Sequence, residues 1–278
     1  MPGVIDPTRA AHDVSGWTSL WRHAEIPVLR STAEQVEELR AREDEVDARQ
    51  IASVVAADPL MCLKLLAHVS SHRSSRRITD TETATAALVM MGIGPFFRAF
   101  GPQLTVEERL QDQPEALAGL SQLLRRSQRA ARFALGFAVH RMDTDAEVIH
   151  EAALLHDFAE MLLWCHAPTL ALEIEQRQAA DPTLRSKIVQ REVLNVELLD
   201  VQQSLMRAWR LPDLLVRISD DHHAGAPQVR NVQLAIRLAR HTRGGWDNAA
   251  IPDDVRDIAQ LLNLRPEATL RLLHDLDE

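Results

Sequence analysis

Tyrosine is missing altogether, and lysine occurs only at Lys64 and Lys187, so arginine supplies 29 of the 31 basic groups. Glycine is scarce, and no stretch alternates apolar and polar residues over the length of a strand. A β-sheet domain is thereby excluded, and an all-α fold is expected. There are two cysteines, Cys62 in LMCLKLL and Cys165 in MLLWCHAP. Both lie in apolar helical runs, which predicts two buried, reduced thiols and no disulfide. No run approaches the 18 or so uncharged apolar residues that would span a bilayer, so no membrane partner is expected. The opening MPGVIDPTRAAHD lacks the basic-then-apolar layout of a secretory signal, and the expected location is the cytoplasm. Acidic residues outnumber basic ones, giving a formal charge of −9. That balance argues against nucleic-acid binding, which needs clustered cations to neutralise phosphates.

What is present is a succession of helix signals over 278 residues, enough for one large domain or two small ones. Trp17, Leu20 and Trp21 suggest a short first helix. The capping-box pattern Ser31-x-x-Glu34 predicts a helix to about Arg42. Asp47 is placed to cap a helix through Ala57, and Asp58-Pro59 to open the next with Asp58 at N-cap and Pro59 at N1. SSHRSSRR (70–77) reads as a polar loop. Thr79-x-x-Glu82 predicts a helix ending at Gly92, with a further break at Gly94-Pro95. The Pro/Gly/Gln-rich stretch from Gly101 to Pro114 is the expected boundary between two lobes. Beyond it, long helices are expected over Pro114–Met142 and over Asp145–His166. Three more reach about Ser219, the last two parted at Leu211-Pro212. His222-His223 sits in a turn, Val229–Arg243 is helical, and two short helices start near Pro252 and Pro266.

The sharpest chemical feature is Leu154-Leu155-His156-Asp157. An adjacent imidazole and carboxylate can offer one nitrogen and one oxygen to a divalent ion. A catalytic centre needs further donors and an open position for water, and His222 or His223 could add one or two. The bland alternative is a buried polar pair satisfied by neighbouring helices. His140, His150 and His166 read as surface or helix-end histidines. The run Arg125-Arg126-Ser127-Gln128-Arg129 reads as a solvated face. Trp164, Trp209 and Trp246 read as core. No nucleophile elbow, P-loop or dinucleotide loop is present.

Several segments, in order, resemble the bacterial HDOD domain. Ile51 to Leu60 with Lys64-Leu65-Leu66 resembles its N-terminal signature, with Ser70-Ser71 where the family has Asn-Ser. Thr85 to Gly92 resembles the next helix. Leu154-Leu155-His156-Asp157 resembles the G-L-L-H-D-I-G centre, and Trp209-Arg210-Leu211-Pro212 with His222-His223 resembles the W-x-L-P and H-H elements. The resemblance implies an HD-like helical bundle. It would comprise an irregular segment over 1–25, an HDOD-like domain over 26–245 with lobes at about 26–105 and 114–245, and short helices over 246–278. The family is similar to HD-type metal phosphohydrolases, but the ligand positions it implies fall near Ser127, Glu197-Leu198 and Ala235-Ile236, and Glu160 stands where many hydrolases carry Lys. The expectation is therefore a regulatory module, not an enzyme, with no cofactor and no metal. His156, Asp157, His222 and His223 would be vestiges of the metal site. It would work by capturing a protein or small ligand near His156 and His222, in a signalling pathway of the cyclic-diguanylate or two-component kind. Homodimerisation is left open. The alternative is a metal-dependent phosphohydrolase of nucleotides or cyclic dinucleotides with a reduced ligand set.

Overall fold

The computed structural model describes residues 9–72, 82–181, 183–221 and 225–277. Helices account for the regular structure of these residues; the one β-feature is an isolated parallel bridge between Val28 and Thr105. No helix is long and apolar enough to cross a membrane among the described residues. The chain forms two compact units. Unit 1 comprises residues 1–123 and 157–211, and unit 2 comprises 124–156 and 212–278. Each is therefore built from two separated stretches of chain.

Unit 1 begins with α1 (Val14–Trp21), whose two tryptophans are fully buried. The Trp17 indole N–H reaches the Leu194 carbonyl at 3.0 Å. Next comes α2 (Arg30–Arg40), and its start corrects the Ser31 capping box: the N-cap is Leu29, without a side-chain cap. Carboxylates from elsewhere in the unit do the capping instead. Asp58 Oδ2 accepts from the Leu29 N–H at 2.8 Å and Glu107 Oε2 from the Arg30 N–H at 3.0 Å. A tertiary acceptor serves orphan N–H groups as well as a local one. The Asp47 expectation holds in α3 (Ala48–Ala56), where Asp47 and Gln50 close a reciprocal capping box. So does the Asp58-Pro59 start of α4 (Pro59–Ser71). Ser70 and Ser71 belong to this helix, not to a loop; residues 73–81, including Thr79, lie outside the described residues. The observed cap of α5 (Ala84–Met91) is Thr83, whose hydroxyl accepts from the Ala86 N–H. The helix breaks at Gly92, φ +86°, and α6 (Ile93–Ala99) follows at once with Pro95 in its first turn. The break thus falls before Gly94-Pro95, at the glycine that can take positive φ. The stretch expected as a boundary contains α7 (Val106–Arg109), opened by a Thr105/Glu108 capping box.

α8 (Pro114–Arg141) matches expectation; residues 114–123 belong to unit 1. There Gly119 is required by packing, since a Cβ would come within 2.5 Å of the Trp164 ring. The remainder of unit 1 is α10 (Phe158–His166), α11 (Pro168–Ala180), α12 (Ser186–Leu194) and α13 (Leu198–Trp209). In α13 Trp209 packs on Phe158, with ring centroids 5.8 Å apart, and donates to the Arg22 carbonyl at 3.0 Å. Arg210 ends the helix in the left-handed region, and the Leu211 N–H returns to Met206 O. The W-x-L-P element is therefore a helix stop anchored in a core.

Unit 2 holds the rest of α8 with α9 (Ala146–Leu154), α14 (Asp213–Ile218), α15 (Pro227–His241), α16 (Ile251–Leu262) and α17 (Pro266–Asp277). α9 packs on α14 and α15, and α16 on α15 and α17. A buried carboxylate joins α15 to α16: Asp254 lies 2.7 Å from Arg237 Nε and 2.6 Å from His241 Nδ1. Arg129 of α8 pairs with Asp277 and donates to the Thr242 carbonyl. Trp246 also donates to Asp277 and packs at a tilt against His274. These contacts secure α17, but they leave Trp246 half-buried, unlike the core Trp164 and Trp209.

Candidate functional site

The expected single helix over 145–166 is two helices. α9 stops at Leu154, and Leu155 (φ −97°, ψ 1°) and Asp157 (φ −105°, ψ 24°) take bridge-region dihedrals before α10 starts at Phe158. His156 and Asp157 thus occupy a joint between helices, a backbone setting shared by many functional residues. The units divide between these two residues, His156 closing a segment of unit 2 and Asp157 opening one of unit 1.

In unit 2, His156 Nε2 lies 3.3 Å from Asp221 Oδ1, and the imidazole is about nine-tenths buried. The same oxygen accepts from Gln233 Nε2 at 3.2 Å, and Gln233 also donates to the Asp221 carbonyl at 3.1 Å. Burial raises the Asp221 pKa. The hydrogen bond and charge of His156, with Gln233 and Arg240, outweigh burial and leave it below the usual carboxylate value. An ionised carboxylate only accepts, so the Nε2 carries the proton and a neutral His156 ring has its lone pair on Nδ1. Neither Asp221 nor Gln233 was singled out from the sequence. Asp221 was overshadowed by the double histidine that follows it, and the pairing spans 65 residues. His222 and His223 lie outside the described residues.

Asp157 precedes α10 without accepting a cap from the helix through its side chain, and its carbonyl accepts the Glu160 and Met161 N–H groups. Glu160 sits in the first turn of α10. At the positions where the HD resemblance implies ligands, unit 2 has Ser127 and Ala235, both buried, and Ile236 beside Arg237. In unit 1, Glu197 is salt-bridged to Lys187 and Arg191. Burial raises its pKa, and the two cations pull it below normal. Among the described residues, no three His, Cys, Asp or Glu side chains are grouped to hold a metal ion.

A second polar cluster, not foreseen, lies inside unit 1. Asp58 is fully buried and accepts from the N–H groups of Leu29, Leu60 and Met61. Burial pushes its pKa up against these hydrogen bonds. Lys64 reaches Gln103 and stands 3.8 Å from Glu25. Burial lowers its pKa, while Glu25 and Asp58 oppose that. His166, expected at a helix end, is the last residue of α10 but is buried. Arg109 donates from Nη2 to its Nδ1 at 3.1 Å and from Nε to the Cys165 carbonyl at 3.2 Å. Burial, then the Arg109 charge, lowers the His166 pKa to about 4. Because Arg always donates, Nδ1 must hold the lone pair, and the neutral ring is the Nε2–H tautomer. One sequence signal pointed here: Lys64 is one of only two lysines. Cys62 and Cys165 are free and buried, as expected, and burial raises the Cys165 thiol pKa to about 12. The basic run of α8 is only partly a solvated face: Arg125 is exposed, Ser127 buried and Arg129 ion-paired.

Comparison with known proteins places these observations. Two solved structures share the fold. A response regulator, MmoQ, from Methylococcus capsulatus str. Bath superposes with a TM-score of 0.67 at 19% identity, covering 90% of this chain and 98% of the other. A virulence factor from Campylobacter jejuni subsp. jejuni gives 0.62 at 16% identity, covering 95% and 98%. No curated protein matches in sequence. The family profile of the HDOD domain matches residues 26–225, more than half of the chain, and so the chain belongs to the HDOD domain family.

Proposed function

We propose that this HDOD protein is a non-catalytic signalling module that acts by binding a protein or small ligand, with a degenerate HD site at His156 and Asp157. The observation that carries this reading is the identity of the buried residues at the implied ligand positions of unit 2. Ser127 and Ala235 replace an imidazole and a carboxylate, and neither supplies the neutral nitrogen or anionic oxygen that holds a catalytic ion. Without donors at those two positions, a phosphoryl transition state has a weaker hold on the cation that would offset its charge. The Methylococcus protein of the same fold is a response regulator, which supports a place in a two-component or cyclic-diguanylate pathway in the bacterial cytoplasm.

One observation favours a second reading. An imidazole N–H held by a carboxylate, as His156 is by Asp221, is the arrangement that orients a metal-ligating histidine. It fits a phosphohydrolase with a reduced ligand set. Assays of the purified protein with added Mn²⁺, Fe²⁺ or Mg²⁺ on nucleotides and cyclic dinucleotides separate the two. The binding reading expects no turnover above the metal-only blank. Turnover abolished by both His156→Ala and Asp157→Ala would establish the hydrolase.

A further inference from the structure

In unit 2 α8 carries an outward face that the described residues leave exposed, apart from the half-buried Gln128. Its positions are Arg125, Gln128, Arg132, Leu135, Val139 and Met142, spaced by alternating steps of three and four. Such spacing keeps side chains within an arc of about 100° and is the period of a coiled-coil seam. The seam runs for about 26 Å at 1.5 Å per residue. Its second half is apolar and exposed: Leu135 at 36%, Val139 at 62% and Met142 at 87%. The inner face, with Phe133 and Phe137, already fills the core.

Met142 stands out for a second reason. It adopts φ +57° at the end of α8, where the Asp143 N–H closes back on the Ala138 carbonyl at 2.9 Å. Glycine is the usual residue at such a helix end, and a residue with a Cβ is strained there. Here the strained position presents a large apolar side chain to solvent.

The charges on either side of the apolar segment have opposite sign. Arg125 and Arg132 are exposed at one end, and no acidic residue occurs between Glu115 and Asp143. At the other end the turn after α8 carries Asp143 and Asp145, and the first turn of α9 carries Glu147. Asp143 is paired with Arg141 at 3.0 Å, so Asp145 and the exposed Glu147 supply the acidic end. Basic, apolar and acidic groups thus follow one another in chain order, an order that complements its own copy when the copy runs the other way. A two-fold axis between Leu135 and Val139 sets Leu135 against Val139 of the partner subunit and brings Arg132 to the end of the partner's helix, next to its acidic turn. An isologous contact requires this self-complementarity; a parallel pairing would set arginine against arginine.

We propose that α8 pairs antiparallel with α8 of a second copy of this chain, through Leu135, Val139 and Met142. The proposal is independent of whether the protein is catalytic. One helix pair is a small interface, so the dimer is weak, with a Kd on the order of micromolar.

Sedimentation velocity of the full chain over a concentration series tests it. The native protein should shift from monomer to dimer as concentration rises to about 100 µM. Val139→Asp buries a carboxylate twice per dimer and should raise the Kd at least about tenfold with the circular dichroism spectrum unchanged. Met142→Gly should move two readouts in opposite directions. It should raise the melting temperature of the dilute monomer by relieving the left-handed strain, yet weaken the dimer. Arg132→Glu and Glu147→Arg should each weaken association, and together restore it to within about threefold of native, because the swapped ends again complement each other. A chain monomeric throughout the series, or a dimer indifferent to Val139→Asp and to the charge swap, would overturn the proposal.

Discussion

Acidification should weaken unit 1 through His166. The imidazole is buried, and its pKa falls from 6.5 to about 4 in the fold. A base with a depressed folded pKa is protonated in the unfolded chain first. Between pH 6.5 and about 4 the unfolded state therefore binds the extra proton and stability falls as pH falls. At 1.36 kcal/mol per pKa unit the full loss is about 3 kcal/mol, complete below pH 4. His68 and His150 also have lowered pKa values, in both cases chiefly from burial, so the native slope contains their contributions. The comparison with His166→Gln isolates the one group, because Gln keeps an acceptor for Arg109 but does not titrate. Urea unfolding followed by tryptophan fluorescence at steps from pH 7.5 to 4 gives both curves. The difference between them should be flat above pH 6.5 and change by about 3 kcal/mol below it. Parallel curves across the window would refute the assignment of a buried, neutral His166 beside Arg109.

Asp58→Ala should cost about 2–4 kcal/mol in denaturant unfolding, because it removes the cap of α4 and leaves the Leu29 N–H without its acceptor. Asp58→Asn keeps one acceptor oxygen and should cost less. Gly119→Ala drives a Cβ to within 2.5 Å of a rigid indole and should destabilise by about 1–3 kcal/mol. Gly136→Ala meets only the flexible end of Leu276 and should cost less, with increased hydrogen exchange in α17 as the readout. Both thiols should be inert to Ellman's reagent in the native state and react together on unfolding, since they are buried and that of Cys165 has its pKa raised to about 12.

The helical class and most helix starts were legible because they rest on local chemistry. Asp47, Asp58-Pro59 and Pro114 carry their cap or N1 signal within three residues of the helix they open. The misplaced starts are those settled at a distance. Ser31 lost to Leu29 because Asp58, 29 residues from Leu29, and Glu107, 77 residues from Arg30, supply the acceptors. The helix over 145–166 was broken at Leu155–Asp157 although LLHD carries no Gly or Pro, the residues that usually announce such a joint. The division into units depends on which helices return to pack on one another, and composition does not carry that information. Likewise His156 and Asp157 could be chosen by residue type, whereas Asp221, Gln233 and the Arg109–His166 pair are visible only once distant turns are brought together.

The central claim is that the joint at His156 and Asp157 does not grip a catalytic ion. Metal content of the purified protein, by plasma mass spectrometry on the native chain and on His156→Ala, tests it most directly. The account predicts substoichiometric Fe, Mn and Zn in both proteins, with no difference between them. Stoichiometric metal in the native protein that is lost on His156→Ala would contradict it.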